Sequence, residues 1–152
     1  MIRRVVLALM ALALAAAPAA AAAVVALQDD ALINAPTPEL LAERLDALAA
    51  TGARVTRVDV LWSQVARSRP QDPRDPADAA YEWGRYDAIL RGLAERGIEA
   101  IVDYYPTPRW ASRARRPRPS DAPRAADAAA FAGALARRYS GSWPDPPRTP
   151  LP

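Results

Sequence analysis

An internal echo constrains the fold of this chain more than any other feature. Leu45-x-x-Leu48-x-x-x-Gly52 returns as Leu90-x-x-Leu93-x-x-x-Gly97 at an offset of 45 residues, and each copy runs at once into a β-prone stretch. Leucines so spaced mark one helical face, and a glycine just past them supplies the left-handed residue that closes a helix. A unit of helix, glycine cap and strand used twice favours parallel strands joined by crossover helices.

The remaining elements fall into place around this echo. Val24 to Leu27 is a short apolar run ending in Gln28-Asp29-Asp30, which suits a buried strand that delivers polar groups to its C-terminal end; it also suits the tail of an apolar leader. Thr37, Pro38 and Glu39 give a capping hydroxyl, a first-turn proline and a first-turn acid, so a helix is expected from there to about Thr51, with Leu41, Leu45, Leu48 and Ala49 on its apolar face. Ala53 to Trp62 is rich in β-branched residues and reads as a strand interrupted by Arg57 and Asp59. Residues 63 to 80 carry Pro70, Pro73 and Pro76 and are expected to be a long irregular loop.

Helical periodicity returns with Trp83, Tyr86, Ile89, Leu90 and Leu93, closes at Gly97, and leads into a strand from Ile98 to Tyr105. After a second Pro/Arg loop over 106 to 124, Asp127 to Tyr139 reads as a third helix, with Ala128, Phe131, Leu135 and Tyr139 on one face and Gly141 as its cap. Trp143 to Pro152 contains five prolines and is expected to be irregular. The order βαβαβα makes this an α/β chain, either an open doubly wound sheet or part of a barrel. No Gly-x-Gly-x-x-Gly or phosphate-cradling loop follows a strand, which weakens the nucleotide-binding version.

Composition narrows the chemistry. The chain has no Cys and no His, so disulfide frameworks, thiol nucleophiles, imidazole bases and the usual zinc ligand sets are excluded. All 20 basic residues are Arg, a bias that fits a GC-rich coding sequence better than a special basic function. Met1-Ile2-Arg3-Arg4, an apolar stretch from Val5 to Ala17 and a small-residue zone from Pro18 to Ala23 have the form of a signal peptide over residues 1–23, which implies a secreted, extracellular protein with no stable membrane association after cleavage. The uncharged run from Val5 to Leu27 is 23 residues, also long enough for an uncleaved anchor, but Pro18 and the alanine-rich second half favour cleavage. Without Arg3 and Arg4, 18 Arg face 17 acids, and a net charge of +1 gives no electrostatic case for nucleic acid.

In a parallel α/β fold, function gathers where strands end and the next loops begin. That rule singles out Asp29, Asp30, Arg57, Asp59, Trp62, Asp103, Tyr104, Tyr105, Thr107 and Trp110. Aromatic faces stack on sugar rings and Arg and Asp hydrogen-bond hydroxyls, so the mixture suits carbohydrate. The same residues also suit a structural ion pair and aromatic packing. Asp72, Asp75 and Asp78 recur every third residue, but without the glycine and terminal Glu of a hand-type calcium loop, and no metal or other cofactor is expected. Arg113 to Arg118, with Pro117 and Pro119, is best read as solvated loop.

Four patterns in order carry a resemblance: Gly52-Ala-Arg-Val-Thr-Arg57-Val-Asp59-Val-Leu-Trp62, Tyr81-Glu-Trp83-Gly-Arg-Tyr86-Asp87, Gly97-Ile-Glu-Ala-Ile-Val-Asp103 and Pro106-Thr107-Pro108-Arg-Trp110-Ala111. Together they resemble the opening units of the cellulase-like clan of (β/α)8-barrel glycoside hydrolases, including its β-xylosidase-like members. The helix Phe131 to Gly141 resembles the segment before the fourth strand, and the likeness covers about residues 24 to 143.

The resemblance implies a partial (β/α)8 TIM barrel of about three βα units over residues 24–143, followed by a Pro-rich tail over 144–152. A complete barrel takes about 250 residues. It further implies retaining hydrolysis by two glutamates, one within an Asn-Glu pair on the fourth strand. The chain departs from the family there: Glu39, Glu43, Glu82, Glu95 and Glu99 are its only glutamates, no Asn-Glu occurs, and Glu99 opens its strand. No catalytic residue is therefore assigned, and the chain is expected to be inactive alone.

Carried over by position, Arg57 resembles the arginine that supports the active-site carboxylates, and Trp62, Thr107 and Trp110 resemble sugar-subsite residues. Asp59, Asp103 and Tyr104 complete the expected carbohydrate-binding set. An exported, non-catalytic carbohydrate-binding module is the alternative, opposed by the open strand edges of three lone βα units. An unrelated small α/β protein is the third possibility.

Overall fold

The computed structural model describes residues 26–114, 118 and 121–144. The leader expected over 1–23, Val24 and Val25 of the expected first strand, part of the Arg113–Arg118 stretch with Pro119, and the tail from residue 145 lie outside the described residues. The chain forms β1 (Ala26–Gln28), α1 (Pro38–Ala50), β2 (Val55–Leu61), a one-turn α2 (Trp62–Val65), α3 (Gly84–Glu95), β3 (Glu99–Tyr105), a 3-10 turn (Arg109–Ala111) and α4 (Ala125–Arg138). The strands make one parallel sheet in the order β1-β2-β3. The fold is thus mixed α/β, as the alternation of elements implies. No helix of the described residues is long and apolar enough to cross a membrane.

Helix boundaries follow local chemistry. Thr37 is extended, with φ −132° and ψ 156°, and its hydroxyl accepts a hydrogen bond from the Leu40 amide at 3.3 Å, satisfying a donor that the first turn of α1 leaves free. The echo glycines do what their spacing implies: Gly52 and Gly97 have φ of 78° and 65° behind α1 and α3. Within α3, Gly92 is what lets α1 come close, because a Cβ there would collide with Leu45.

The segment expected to be wholly irregular from residue 63 proves more ordered. Trp62, Ser63, Gln64 and Val65 contain no proline and form α2; the prolines start only at Pro70. Further on, Asp72, Asp75 and Asp78 each accept a hydrogen bond from the amide two residues ahead, on Arg74, Ala77 and Ala80, at 2.9 to 3.0 Å. The three-residue spacing of these aspartates is a run of Asx turns, in which a side chain closes the turn in place of backbone. Their side chains are engaged locally.

Side-chain alternation divides the sheet into two unlike faces. Even-numbered Thr56, Val58 and Val60 of β2 are buried, and Val58 and Val60 join Leu41, Leu45 and Leu48 of α1, Ile89 and Leu93 of α3, and Phe131 and Leu135 of α4 in one apolar cluster. All three long helices therefore serve the same face. The odd-numbered face carries Arg57 and Asp59 on β2 opposite Ile101 and Asp103 on β3, with Ile101 57% and Tyr105 49% exposed.

One arginine–aspartate network ties the two loops down. Arg69 donates both terminal nitrogens to Asp127 at 2.9 Å, and Arg124 adds a third bond to the same carboxylate at 2.8 Å, so both Pro/Arg-rich loops converge on the first turn of α4. The Asp127 carboxylate also complements the positive N-terminal end of the α4 dipole. Arg124 further donates to the Trp110 and Ser112 carbonyls, holding the end of the 3-10 turn.

Candidate functional site

The odd-numbered face gathers a compact polar cluster near the C-terminal ends of β2 and β3. Arg57 Nε donates to Asp59 Oδ1 at 2.8 Å and lies 3.6 Å from Asp103 Oδ2, while Arg57 Nη2 reaches Asp59 Oδ2 at 3.3 Å. Tyr105, two residues beyond Asp103 and so on the same face, donates its hydroxyl to Asp59 Oδ2 at 3.1 Å. Asp59 and Asp103 are direct partners across the parallel ladder. Alternation and register bring all four side chains to one patch.

The electrostatics are asymmetric. Burial works against the Asp59 anion, but hydrogen bonds with Arg57, Asp103 and Tyr105 outweigh it and hold this carboxyl below the ordinary aspartate value. Asp103 moves the other way, raised first by desolvation and then by the neighbouring Asp59. The Tyr105 phenol is raised by its hydrogen bond to Asp59, and Arg57 is held more firmly protonated by the same carboxylate. Arg57 stays 43% exposed while the Asp59 side chain is 3% exposed, so the cluster has a buried anion beneath an accessible cation.

Of the residues expected to contact a ligand, Arg57, Asp59 and Asp103 come together here. Trp62 and Tyr104 do not join them: Trp62 opens α2 and is buried, and Tyr104, at an even position of β3, faces the helices. Trp62 is 1% exposed, stacked on Phe131 at 4.9 Å between ring centroids and edge-on to Tyr104 and Trp110 at 5.6 and 5.7 Å. The Tyr104 hydroxyl donates to the Ala128 carbonyl of α4. Trp110 gives its indole N–H to the Ala66 carbonyl at 2.7 Å, and the Arg69 guanidinium sits 4.9 Å above its ring. Such rings contribute packing and cation–π attraction on this side of the sheet.

Thr107 has a separate setting. Together with Tyr104, Tyr105, Pro106 and Pro123 it lines a cavity of about 590 Å³ past the end of β3. Tyr105 belongs to both this cavity and the polar cluster, which makes it the link between them. Alternation and register together put it there: Tyr105 pairs with Leu61 and lies two residues beyond Asp103 on the same face of β3. A larger groove of about 870 Å³ runs along β3 between α3 and α4, walled by Leu90, Ala94, Val102 and Tyr139.

The fold and cluster define a mixed α/β unit whose small parallel sheet is packed by helices on one face and presents charged and aromatic groups on the other. No family model, curated protein or solved structure matches the chain.

Proposed function

We propose that this chain forms part of the wall of a (β/α)8-type glycoside hydrolase barrel and supplies carbohydrate contacts from its helix-free sheet face. The observation that carries the reading is the patch of Arg57, Asp59, Asp103 and Tyr105 on that face, near the C-terminal ends of parallel strands, the end where ligands of such folds are held. Among the described residues the helices are confined to one face, which also supports a barrel wall over a doubly wound sheet with helices on both. A guanidinium with free donors and a half-exposed phenol ring suit a neutral polyhydroxylated ring, one giving hydrogen bonds and the other an apolar face. The leader pattern supports export, so the ligand would be met outside the cell.

A second reading, a non-catalytic carbohydrate-binding module, is favoured by the glutamates. Glu39, Glu43 and Glu95 lie on helices, Glu82 precedes α3, and Glu99 stands at the N-terminal end of β3, away from the patch. Titrating the isotope-labelled chain with xylo- and cello-oligosaccharides while recording amide and Arg57 Nε–H resonances tests ligand contact. Shifts centred on residues 57, 103 and 105, with binding weakened about tenfold or more in Arg57→Ala, are expected from a lost charge-assisted hydrogen bond. Saturation without any shift at the patch would remove it from the binding surface. Incubation with aryl glycosides separates the two readings: release of phenol by this chain alone would refute the non-catalytic one.

A further inference from the structure

We propose that Asp59 and Asp103 hold a single proton between them, carried by Asp103, so that below the second ionisation of the pair the open sheet face presents a neutral carboxylic acid beside a paired Arg57–Asp59 ion pair. The inference rests on the proposed ligand face only for its functional consequence; the proton sharing itself is a property of the free chain.

The hydrogen-bond inventory places the proton. Asp59 receives Arg57 Nε on Oδ1 and both Arg57 Nη2 and the Tyr105 hydroxyl on Oδ2, so its charge is well met. Asp103 receives far less. Among the described residues its Oδ2, on a side chain 45% exposed, has Arg57 Nε at 3.6 Å, already committed to Asp59, and its Oδ1 is shut off from solvent without a hydrogen-bond donor. Two carboxylates in register on neighbouring strands, with one guanidinium between them, are one positive charge short if both ionise. A proton on Asp103 removes the repulsion, turns a starved acceptor into a donor toward Asp59, and leaves the trio neutral overall.

Among the described residues the surrounding groups do not supply a second cation. Asp29 and Asp30, in the turn after β1, border the Arg57–Asp59 end with Gln28 and add negative potential there. Tyr105 on β3 is a neutral donor already used by Asp59, and the Tyr86 hydroxyl of α3 accepts from the Leu61 amide at 2.7 Å. The direction of both carboxyl titrations agrees with this arrangement, Asp59 lowered and Asp103 raised.

The consequence is a ligand face that changes character with pH. When Asp103 is protonated the patch offers an acid O–H and a guanidinium to ligand hydroxyls and carries no net charge. Once Asp103 ionises, the patch becomes negative, the two carboxylates repel across the ladder, and Arg57 is divided between them. Neutral polyhydroxylated ligands should therefore bind more tightly below this second ionisation than above it.

Carboxyl-carbon NMR of the full chain labelled at aspartate reads the pair without any ligand. The expected result is two steps separated by more than about one pH unit, with Asp59 below and Asp103 above the ordinary aspartate value, and with the Asp59 resonance moving a second time as Asp103 titrates. Asp103→Asn, at a half-exposed position, should reduce the Asp59 curve to one step, and Asp59→Asn should return Asp103 toward its ordinary value. Independent titration of both groups near the ordinary value, or an Asp59 curve unchanged by Asp103→Asn, would overturn the proposal. Should the pair titrate as described and oligosaccharides still fail to bind, the carbohydrate reading falls while the shared proton stands.

Discussion

Arg138, at the last turn of α4, grips Asp87 in the first turn of α3 with two hydrogen bonds of 2.8 and 2.6 Å, and both side chains are 10% exposed or less. The Tyr139 hydroxyl donates to the same carboxylate at 2.9 Å, and the Arg138 guanidinium lies 5.5 Å from the centre of the Trp83 ring. A buried pair of this kind is costly to break, because removing one partner strands the other charge away from water. Arg138→Ala and Asp87→Ala are each expected to destabilise the fold by about 3–5 kcal/mol. Chemical denaturation of the two single variants and the double variant checks this, and the double should cost less than the sum of the singles.

The capping glycines yield a contrast within one residue type. Gly52 and Gly97 sit at positive φ with open space around the missing Cβ, so Gly→Ala at either position costs about 1–2 kcal/mol from backbone conformation alone. Gly133 lies inside α4, also with nothing near its absent Cβ, and Gly133→Ala should stabilise by about 0.5–1 kcal/mol through helix propensity. Thermal melts of the three variants would contradict this assignment if all moved in the same direction.

Trp62 and Tyr105 should separate folding from binding. Trp62→Ala empties the centre of the aromatic cluster and is expected to cost about 3–5 kcal/mol. Tyr105→Ala removes a half-exposed ring and should change stability by less than about 1 kcal/mol while weakening oligosaccharide binding. Paired denaturation and titration experiments make the comparison; a stability loss at Tyr105 as large as that at Trp62 would show that the ring belongs to the core.

Acid should loosen the Asx-turn segment before the sheet. The Asp78 carboxylate accepts from the Ala80 and Asp72 amides at 2.9 and 2.8 Å, and these bonds lower its pKa. A carboxyl lowered by folding stabilises the fold above its unfolded value of about 3.9, and that contribution is lost as pH falls through the lower folded value. Hydrogen exchange at the amides of residues 72 and 80 is expected to accelerate, relative to the intrinsic rate, as the medium becomes acid, and Asp78→Ala should abolish that acid dependence.

How much of this was legible in the sequence depended on whether the signal was local. The leucine spacing and Gly52 and Gly97 fixed α1, α3 and their strands to within two residues, since helix periodicity and a left-handed cap are properties of adjacent positions. The proline content of residues 63–80 hid α2 and the Asx turns, because proline excludes extended regular structure without specifying which turns replace it. Arg57, Asp59 and Asp103 were found as candidates from residue type near strand ends. Trp62 and Tyr104 carry the same residue-type signal, but Trp62 turns into α2 and Tyr104 stands at an even position of β3, and residue type near a strand end does not distinguish these placements. The Arg138–Asp87 and Arg69–Asp127 ties, 51 and 58 residues apart, left no local mark.

The two-residue alternation along β2 and β3 also divides the chain's tolerance to substitution. A library at positions 56, 58, 60, 102 and 104 would be filtered by volume and shape, with survivors close to the starting side chains in size. A library at positions 57, 59, 101, 103 and 105 would be filtered by charge and hydrogen-bonding pattern, and Ile101, the most exposed of the five at 57%, should accept the widest range. Recognition on this scaffold can therefore be re-engineered from the odd positions while the even ones are left alone.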